Sequence, residues 1–309
     1  MIEVKDLYKS YDKSGKVNAL NGITFTVNDG EIFGVIGPDG AGKSTLFRIL
    51  ASLILPDSGR VTMNGFDVVN DYRKIRQIIG YMPGKFSLYQ DLSVEENLKF
   101  FATLFGSTIQ DNYHLIKDIY QQIEPFKDRR AGALSGGMKQ KLALSCALIH
   151  KPEILILDEP TTGVDPVSRK EFWDMLSRLK EQGIIILVST AYMDEAGKCD
   201  KIALIGEGKF IATNTPQGII NSYTDILWAV EGSKMSPILH ELRKHQNIKS
   251  SFAFGDKIHI TVDEILKTDE LKQYLINKDF RDIEIKEIEP TVEDCFMALT
   301  GKQYERQSN

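Results

Sequence analysis

A glycine-rich segment that ends in lysine and serine carries the clearest chemical pattern in the chain. Residues 37–45 read Gly-Pro-Asp-Gly-Ala-Gly-Lys-Ser-Thr, which fits G-x-x-x-x-G-K-[ST], a loop whose backbone N–H groups surround nucleotide phosphates. We expect Lys43 to bind the β and γ phosphates and the Ser44 hydroxyl to bind Mg²⁺. The predicted phosphate site comprises Gly37, Pro38, Asp39, Gly40, Ala41, Gly42, Lys43, Ser44 and Thr45.

A second candidate anion site lies further along the chain. Residues 134–140 read Leu-Ser-Gly-Gly-Met-Lys-Gln, with the serine and both glycines where a helix is expected to begin. A helix N-terminus offers unpaired N–H groups and the positive end of the helix dipole to an anion. Ser135, Gly136 and Gly137 are therefore predicted to contact phosphate.

Two adjacent carboxylates end a short apolar segment. Residues 154–157 read Ile-Leu-Ile-Leu, as in a buried strand, and lead directly into Asp158 and Glu159. Open parallel sheets bind ligands at the carboxyl ends of their strands, so we expect Asp158 to hold Mg²⁺, directly or through water. Glu159 is expected to polarise the attacking water. Carboxylates after a strand often serve only as caps, and the upstream phosphate loop favours the catalytic interpretation.

The elements around the glycine-rich loop follow the order that such a loop requires. Residues 31–36 have the apolar composition of a buried strand, and residues 43–51 continue as a helix with apolar side chains facing inward. A purely structural glycine-rich turn is the alternative, which the order of strand, loop and helix disfavours.

Together these motifs resemble the ATP-binding cassette of ABC transporters over residues 1–220. In the family's terms they are the Walker A motif, the signature and the Walker B motif, and Gly163-Val-Asp-Pro166 resembles the D-loop. Tyr11 stands where the family places an aromatic ring that stacks on adenine, although an ordinary strand or turn residue is the alternative.

The resemblance implies a fold, a ligand and a mode of association. The fold is the α/β fold of P-loop NTPases, with an antiparallel β subdomain and a helical insert over about residues 84–150. The ligands are ATP and Mg²⁺. Two cassettes associate head to tail, with ATP between one Walker A motif and the other subunit's signature. Asp165 has two expected roles of equal weight, as a D-loop residue and as an N-cap followed by Pro166.

Two positions depart from the family pattern. Gly84 stands where the family's Q-loop glutamine follows a strand and a proline, and Ala191 stands where its switch histidine follows a strand. Neither residue has a side-chain donor or acceptor. We therefore favour a heterodimer, in which this chain turns ATP over slowly and its signature completes a competent site on a different cassette. A slowly hydrolysing homodimer, with Gln90 or a water as substitute, is the alternative.

The segment before the signature is predicted to be mainly helical. Ser93 and the glutamate three residues later have capping-box spacing at the start of a helix. In the family this region forms a groove for a cytoplasmic helix of the transmembrane subunit. Phe86 and Tyr89 are the predicted partner contacts, whereas Phe101 and Phe105 are predicted to belong to the core of the insert.

Residues 221–309 are predicted to form a separate small α+β domain. Strand and helix patterns follow the order β-α-β-β-α-β, with a turn at Gly255-Asp256, and a last short helix begins after residue 290. Residues 289–300 are similar to the tails of export-type cassettes that handle drugs or polymers. Dimer bracing, regulation and a purely structural role are all open.

Composition limits the partners and the compartment. The chain has 309 residues and a net charge of −5, so no basic field attracts nucleic acid. We expect no signal peptide, because the N-terminal residues lack an apolar core. We expect no membrane span, because an uncharged stretch such as residues 183–193 is too short to cross a bilayer. The three scattered cysteines indicate reduced cytoplasmic thiols rather than disulfides or a metal site.

The expected function is that of an ATPase subunit that energises export through a separate integral-membrane permease. The chain would be cytoplasmic and attached to the inner face of the membrane through that permease. One alternative is a nucleotide-gated binding subunit without useful turnover, which Gly84 and Ala191 support and Glu159 opposes. Another is a soluble ABC protein that acts on ribosomes or DNA, which the lack of an internal repeat or sustained heptads opposes.

Overall fold

The computed structural model describes residues 1–12 and 18–307, with side chains up to residue 301. Contacts between residues divide it into two units, Met1–Pro216 and Gln217–Asn309. Among the described residues the strands are β1 (Ile2–Ser10), β2 (Asn18–Val27), β3 (Ile32–Ile36), β4 (Ser58–Met63), β5 (Phe66–Asp67), β6 (Ile79–Met82), β7 (Ile154–Asp158), β8 (Ile185–Thr190), β9 (Lys201–Gly206), β10 (Lys209–Asn214), β11 (Ile226–Glu231), β12 (Ile248–Phe254), β13 (Lys257–Val262) and β14 (Glu284–Glu287). The α-helices of the same residues are α1 (Lys43–Leu50), α2 (Tyr72–Ile78), α3 (Val94–Leu104), α4 (Tyr113–Tyr120), α5 (Gly136–Leu148), α6 (Pro166–Glu181), α7 (Pro216–Ile220), α8 (Met235–Leu242), α9 (Thr268–Asn277) and α10 (Val292–Gln307).

Continuous apolar segments form the central sheet of the first unit, in the order β10-β9-β3-β8-β7-β6. Its strands run parallel except β10, which pairs antiparallel with β9 at the edge. Every residue of β3, β7 and β8 is buried, as expected for strands covered on both faces. Parallel pairing brings the carboxyl ends of these strands to one edge of the sheet. The three loops that carry Lys43, Glu159 and Ala191 begin at this edge.

A second sheet of the first unit is antiparallel, in the order β2-β1-β4-β5. Side chains of both sheets and of α1 form one hydrophobic core, in which Phe33 and Phe47 are fully buried. Phe25 of the antiparallel sheet stacks on Phe33 of the central sheet, with ring centroids 5.0 Å apart. The buried side chains of α1 therefore fix the position of this helix, which begins at Lys43. The predicted P-loop α/β fold with an antiparallel β subdomain is confirmed.

The helical insert consists of α3, α4 and α5, and α5 packs against both α3 and α4. The predicted capping box opens α3, because the Ser93 hydroxyl accepts a hydrogen bond from the Glu96 N–H at 3.2 Å and the Glu96 carboxylate accepts one from the Ser93 N–H at 2.7 Å. Val94, Leu98 and Ala102 of this helix are buried. Glu96 therefore stabilises the N-terminus of α3.

The second unit contains an antiparallel sheet in the order β12-β13-β11-β14. Buried side chains of α8 and α9 share a core with this sheet around Trp228 and Ile260. The order of strands and helices is the predicted β-α-β-β-α-β. The last helix, α10, has 16 residues and is longer than predicted.

Two further expectations concern the membrane and the cysteines. Among the described residues, no helix combines the length and the apolar character needed to span a bilayer. Cys146, Cys199 and Cys295 are buried free thiols, and burial raises the pKa of the Cys295 thiol to about 11. Burial also raises the pKa of the Cys146 and Cys199 thiols, which favours the protonated form of all three at neutral pH.

Candidate nucleotide site

The glycine-rich loop connects β3 to α1 at the carboxyl edge of the central sheet. A Cβ on Gly37 would lie 2.2 Å from the Ile205 carbonyl oxygen, so this position excludes any side chain. Gly42 has a φ of 107° and directly precedes α1, a backbone conformation that favours glycine. The tip residues Pro38, Asp39 and Gly40 are exposed, whereas Ala41 and Thr45 are buried.

The Lys43 side chain is almost fully buried, with 3% of it exposed. Its ammonium group donates to the carbonyl oxygens of Gly37 at 2.8 Å and Pro38 at 3.0 Å. It also lies 3.1 Å from a carboxylate oxygen of Glu159 and 3.8 Å from one of Asp39. The ammonium group is thus held within the loop by two backbone carbonyl oxygens and is paired with carboxylates.

Asp158 is the last residue of β7 and is buried. Its Oδ1 atom accepts hydrogen bonds from the Ser44 hydroxyl at 3.2 Å and from the Ser189 hydroxyl at 2.6 Å. Adjacent oxygen ligands of an octahedral Mg²⁺ ion lie about 3 Å apart. The Ser44 and Asp158 oxygens therefore fit two neighbouring positions around one Mg²⁺ ion.

Glu159 follows β7 in the left-handed region, with a φ of 51°. Its N–H donates to the Ser189 hydroxyl at 3.0 Å. The Thr162 hydroxyl donates to the second carboxylate oxygen at 3.4 Å. These contacts direct the carboxylate towards Lys43.

The two departures from the family pattern lie beside these carboxylates. Gly84 follows β6 and Pro83, and a Cβ at this position would lie 3.1 Å from the Asp158 carbonyl oxygen and 3.8 Å from its Oδ2 atom. Ala191 directly follows β8. Because β6 and β8 flank β7 in the sheet, both positions border the Asp158 end of the site.

The signature residues lie at the start of α5. Ser135 is its N-cap, and its hydroxyl accepts a hydrogen bond from the Met138 N–H at 3.4 Å. A Cβ on Gly136 would lie 3.3 Å from the Gly163 carbonyl oxygen, and one on Gly137 would lie 2.9 Å from the Ser168 hydroxyl. The signature therefore borders the D-loop of the same chain. In the described part of the chain, no hydrogen bond joins it to the Lys43 loop.

Asp165 caps α6. One of its carboxylate oxygens accepts hydrogen bonds from the N–H groups of Val167 at 3.1 Å and Ser168 at 3.0 Å. The hydrogen bond from Ser168 is the main reason that the pKa of Asp165 is lowered. The cap is thus present in the structure, and the interface role of Asp165 stays a prediction.

Tyr11 directly follows β1, and its hydroxyl oxygen lies 3.3 Å from the Thr45 hydroxyl oxygen. The residue is 58% exposed, so its ring is accessible to a ligand beside α1. Its position next to Thr45 is compatible with adenine stacking, which remains a prediction.

Two polar residues of the site were not found from the sequence. Ser189 links Asp158 to Glu159, and the buried Glu195 lies near the Thr190 end of β8. A serine and a threonine at the end of an otherwise apolar buried strand are a weak signal for Ser189. The sequence contains no comparable signal for Glu195.

An apolar groove of about 560 Å³ lies between the central sheet and the insert. Phe105 is 36% exposed and stacks on His150, with ring centroids 3.8 Å apart. Phe101 and Phe105 both line the groove, so the prediction that Phe105 is a core residue is wrong. Phe105 directly follows the last residue of α3, so the buried face of the helix does not continue to it.

The residues predicted to contact a partner lie outside the lining of this groove. The half-buried Phe86 ring has the Lys139 ammonium 5.6 Å from its centroid. Tyr89 is exposed and makes an edge-to-face contact with Phe100 at 4.9 Å. Their contact with a partner stays a prediction. Gln90 accepts the Gly132 N–H through its carbonyl oxygen at 2.9 Å.

Comparison with known proteins gives consistent matches. A family model described as ABC transporter matches residues 20–162. The Nod factor export ATP-binding protein I of Rhizobium sp. (strain N33) is 33% identical over 311 residues, which cover 99% of this chain and 98% of that protein. The probable multidrug ABC transporter ATP-binding protein YbhF of Escherichia coli (strain K12) is 36% identical over 282 residues. These cover 89% of this chain but 48% of YbhF, so the match spans about half the length of that relative.

Solved structures also match the first part of the chain. A structure titled as the ATP binding subunit of an ABC transporter has a TM-score of 0.65 and 29% identity, and the match covers 72% of this chain and 92% of that one. The dimeric, post-hydrolysis structure of the cassette MJ0796 bound to ADP and Pi has a TM-score of 0.63 and 25% identity. That match covers 70% of this chain and 98% of MJ0796.

Proposed function

The chain belongs to the family of ABC transporter ATP-binding proteins, and on this premise we propose that it is an ATPase subunit that energises export through a separate membrane permease. The observation that carries the proposal is the convergence of Lys43, Ser44, Asp158 and Glu159 at the carboxyl edge of the central sheet. These groups have the chemistry needed to transfer the γ-phosphoryl group of ATP to water.

Lys43 supplies a fixed positive charge to the phosphates. Its ammonium group is already aimed into the loop by the Gly37 and Pro38 carbonyl oxygens. Oxygens of the β and γ phosphates replace the Glu159 carboxylate as its anionic partner, and N–H groups of residues 37–45 surround them. This exchange releases Glu159.

Ser44 and Asp158 would hold Mg²⁺, which neutralises negative charge on the phosphate oxygens. The released Glu159 carboxylate accepts a hydrogen bond from the attacking water and orients it in line with the γ-phosphorus. The water oxygen bonds to phosphorus as the bond to the β–γ bridging oxygen breaks. ADP leaves with that electron pair, and Glu159 accepts the proton of the water.

A second cassette would complete the site. Ser135, Gly136 and Asp165 are exposed, and the neighbouring Val167 is 69% exposed. This surface presents a helix N-terminus, two glycines and an apolar side chain, which suit an ATP-dependent contact between cassettes. The γ-phosphate held by one subunit then contacts the signature of the other.

The second cassette is proposed to be a different chain. Removing one preorganised donor from a developing phosphate charge costs about 2.7–4 kcal/mol, or roughly a hundred- to a thousandfold in rate. Gly84 and Ala191 provide no such donor beside Asp158. The chain's own site would therefore be slow, while its signature serves a competent site elsewhere. A slow homodimer remains the alternative, because Glu159 is present.

A binding subunit without useful turnover is the second candidate function, and the same two positions favour it. The two functions differ in a measurable rate. An ATPase subunit hydrolyses ATP when combined with its permease and second cassette, whereas a binding subunit adds no turnover of its own. ATP hydrolysis by an assembled transporter whose second cassette is catalytically inactive, with and without Glu159→Gln in this chain, distinguishes them, because it isolates turnover at this chain's own slow site.

The apolar groove is the proposed site of permease contact. Phe101, Phe105, Leu53 and Leu88 line it, and Leu53 and Phe105 are exposed. An amphipathic helix can place its apolar face in a groove of this kind. Attachment through this groove would hold the chain on the cytoplasmic face of the membrane. Residues 221–309 would form an accessory domain.

Equilibrium dialysis of the full chain with ATP tests whether the chain binds nucleotide at the Lys43 loop. We expect Mg²⁺-dependent ATP binding that Lys43→Ala abolishes. Lys99→Ala is the matched control, because this lysine is exposed and pairs only with Glu95 in the described residues. Absence of Mg²⁺-dependent binding, or equal loss in both variants, would overturn the proposed function.

A further inference from the structure

A buried carboxylate outside the predicted site joins three of the segments that form it. Glu195 lies in the 3₁₀ segment Met193–Lys198 and is 3% exposed. Its Oε2 atom accepts hydrogen bonds from the hydroxyls of Thr190 at 2.6 Å and Thr161 at 3.1 Å. Its Oε1 atom accepts a hydrogen bond from Arg169 Nε at 3.1 Å.

Each of these three donors belongs to a segment that carries a candidate site residue. Thr161 follows Glu159 by two positions in the loop after β7. Thr190 ends β8, directly before the position where the family has its switch histidine. Arg169 lies near the start of α6, the helix that Asp165 caps.

Burial makes this carboxylate sensitive to the position of each segment. A buried charge is unfavourable unless it is paired and hydrogen-bonded, and the donors to Glu195 come from three separate places in the chain. Displacement of Arg169 leaves Oε1 without its partner, and displacement of either threonine removes one of the two donors to Oε2; both changes are unfavourable. The three segments are therefore held in one mutual arrangement.

Neighbouring contacts fix Arg169 in the same arrangement. Its guanidinium group pairs with Asp194 at 3.1 Å and lies 4.2 Å from the centroid of the Tyr192 ring. The Tyr192 N–H donates to the Thr190 hydroxyl at 3.0 Å. The segment after β8 therefore contacts Arg169 of α6 through Tyr192, Asp194 and Glu195. Ala191, in the same segment, contributes no polar group.

We propose that Glu195 is a positioning residue that transmits nucleotide occupancy at Glu159 to the exposed surface at Asp165. The inference rests on the proposed function, because it requires ATP to bind at Lys43 and to displace the Glu159 carboxylate. Movement of the Glu159 loop shifts Thr161, which is bound to Glu195. Arg169 passes this shift to the start of α6, where the second cassette is proposed to bind.

Amide hydrogen exchange of the full chain, with and without Mg·ATP, tests this inference. In the wild type we expect ATP to slow exchange both in residues 37–45 and in residues 162–168. Glu195→Gln retains the size of the side chain but removes the charge that holds Arg169. We expect it to keep the ATP response of residues 37–45 and to reduce that of residues 162–168 about fivefold or more.

The matched control is Arg178→Gln on the same helix. Arg178 is exposed and pairs with Asp118 at 3.4 Å, far along α6 from its N-terminal end, and we expect a wild-type response at residues 162–168. The double variant Glu195→Gln/Arg169→Gln removes both charges of the buried pair. Removing both leaves no unpaired buried charge, because Asp194, the other partner of Arg169, is exposed. Its melting temperature should therefore recover relative to Glu195→Gln while the ATP response stays lost.

Several outcomes would overturn the inference without affecting the proposed function. These are a full response of residues 162–168 in Glu195→Gln, a response restored in the double variant, or no response there in the wild type despite protection of residues 37–45. Absence of ATP protection at residues 37–45 in the wild type would instead contradict the proposed function.

Discussion

The Lys43 ammonium lies 3.1 Å from the Glu159 carboxylate, so the proposed phosphate ligand and the proposed catalytic base are paired directly. Glu159 reaches Lys43 from a left-handed backbone conformation that its N–H contact with Ser189 supports. A γ-phosphate on Lys43 would meet the negative charge of this carboxylate. ATP binding and the activation of Glu159 are therefore linked in one exchange of partners.

Glu159→Gln should strengthen nucleotide binding while abolishing hydrolysis. The substitution removes a carboxylate charge that competes with phosphate for the buried Lys43 ammonium, so ATP should bind about fivefold tighter or more. Equilibrium dialysis with Mg·ATP measures this change. Glu153→Gln is the matched control, because Glu153 directly precedes β7 at the end opposite Glu159. This variant should bind Mg·ATP like the wild type. Weaker binding by Glu159→Gln would show that the pair does not compete with the nucleotide.

Gly84→Gln combined with Ala191→His should raise ATP turnover by about a hundredfold or more, because both side chains would supply groups to the phosphates and metal. A side chain at residue 84 would begin 3.1 Å from the Asp158 carbonyl oxygen, beside the proposed Mg²⁺ ligands. Steady-state phosphate release measures the rate. Gly84→Ala with Ala191→Ser is the control for backbone effects. Equal turnover in the wild type and the Gln/His variant would remove the reason to propose a slow site.

Tyr11→Ala should weaken ATP binding by about 1 kcal/mol, or about fivefold, through loss of base stacking. Binding of inorganic triphosphate should not change, because it has no base. Tyr11→Phe retains the ring and removes the hydroxyl that lies 3.3 Å from the Thr45 hydroxyl, so it separates stacking from this contact. An equal loss for ATP and triphosphate would assign Tyr11 to the shape of the loop rather than to adenine.

Local motifs and sheet geometry predict the centre of the site. Lys43 and Ser44 are neighbours in the chain, and Asp158 reaches them because buried parallel strands end at a common edge. Ser189 and Glu195 could not be predicted in this way. Ser189 is 31 residues from Asp158 and Glu195 is 34 residues from Thr161, so both contacts depend on the placement of loops.

Helical periodicity likewise predicts the fold of the insert better than its surface. The spacing of Val94, Leu98 and Ala102 predicts a buried face, and these residues are buried. The same spacing extends to Phe105, but α3 ends at Leu104. Because periodicity does not fix where a helix ends, it could not show that Phe105 lines the groove.

The stability of the chain should depend on pH through His150. Its Nε2 atom lies 2.9 Å from the Ile79 carbonyl oxygen, its ring stacks on Phe105, and burial lowers its pKa. The unfolded chain therefore takes up a proton at His150 more readily than the folded chain. This contribution to the free energy of unfolding is complete above the unfolded pKa of about 6.5 and is lost as the pH falls towards the folded pKa.

Urea unfolding between pH 7.5 and 5 should show this loss in the wild type and a smaller one in His150→Phe, which keeps an aromatic ring beside Phe105 but cannot take up a proton. His114→Gln in α4 is the control, because His114 is exposed, and it should follow the wild-type pH profile. Both variants lose one histidine, so a difference between their pH profiles of stability reports the effect of protonating the buried His150 ring. An identical pH profile in wild type and His150→Phe would show that the buried imidazole is not the group whose protonation destabilises the fold.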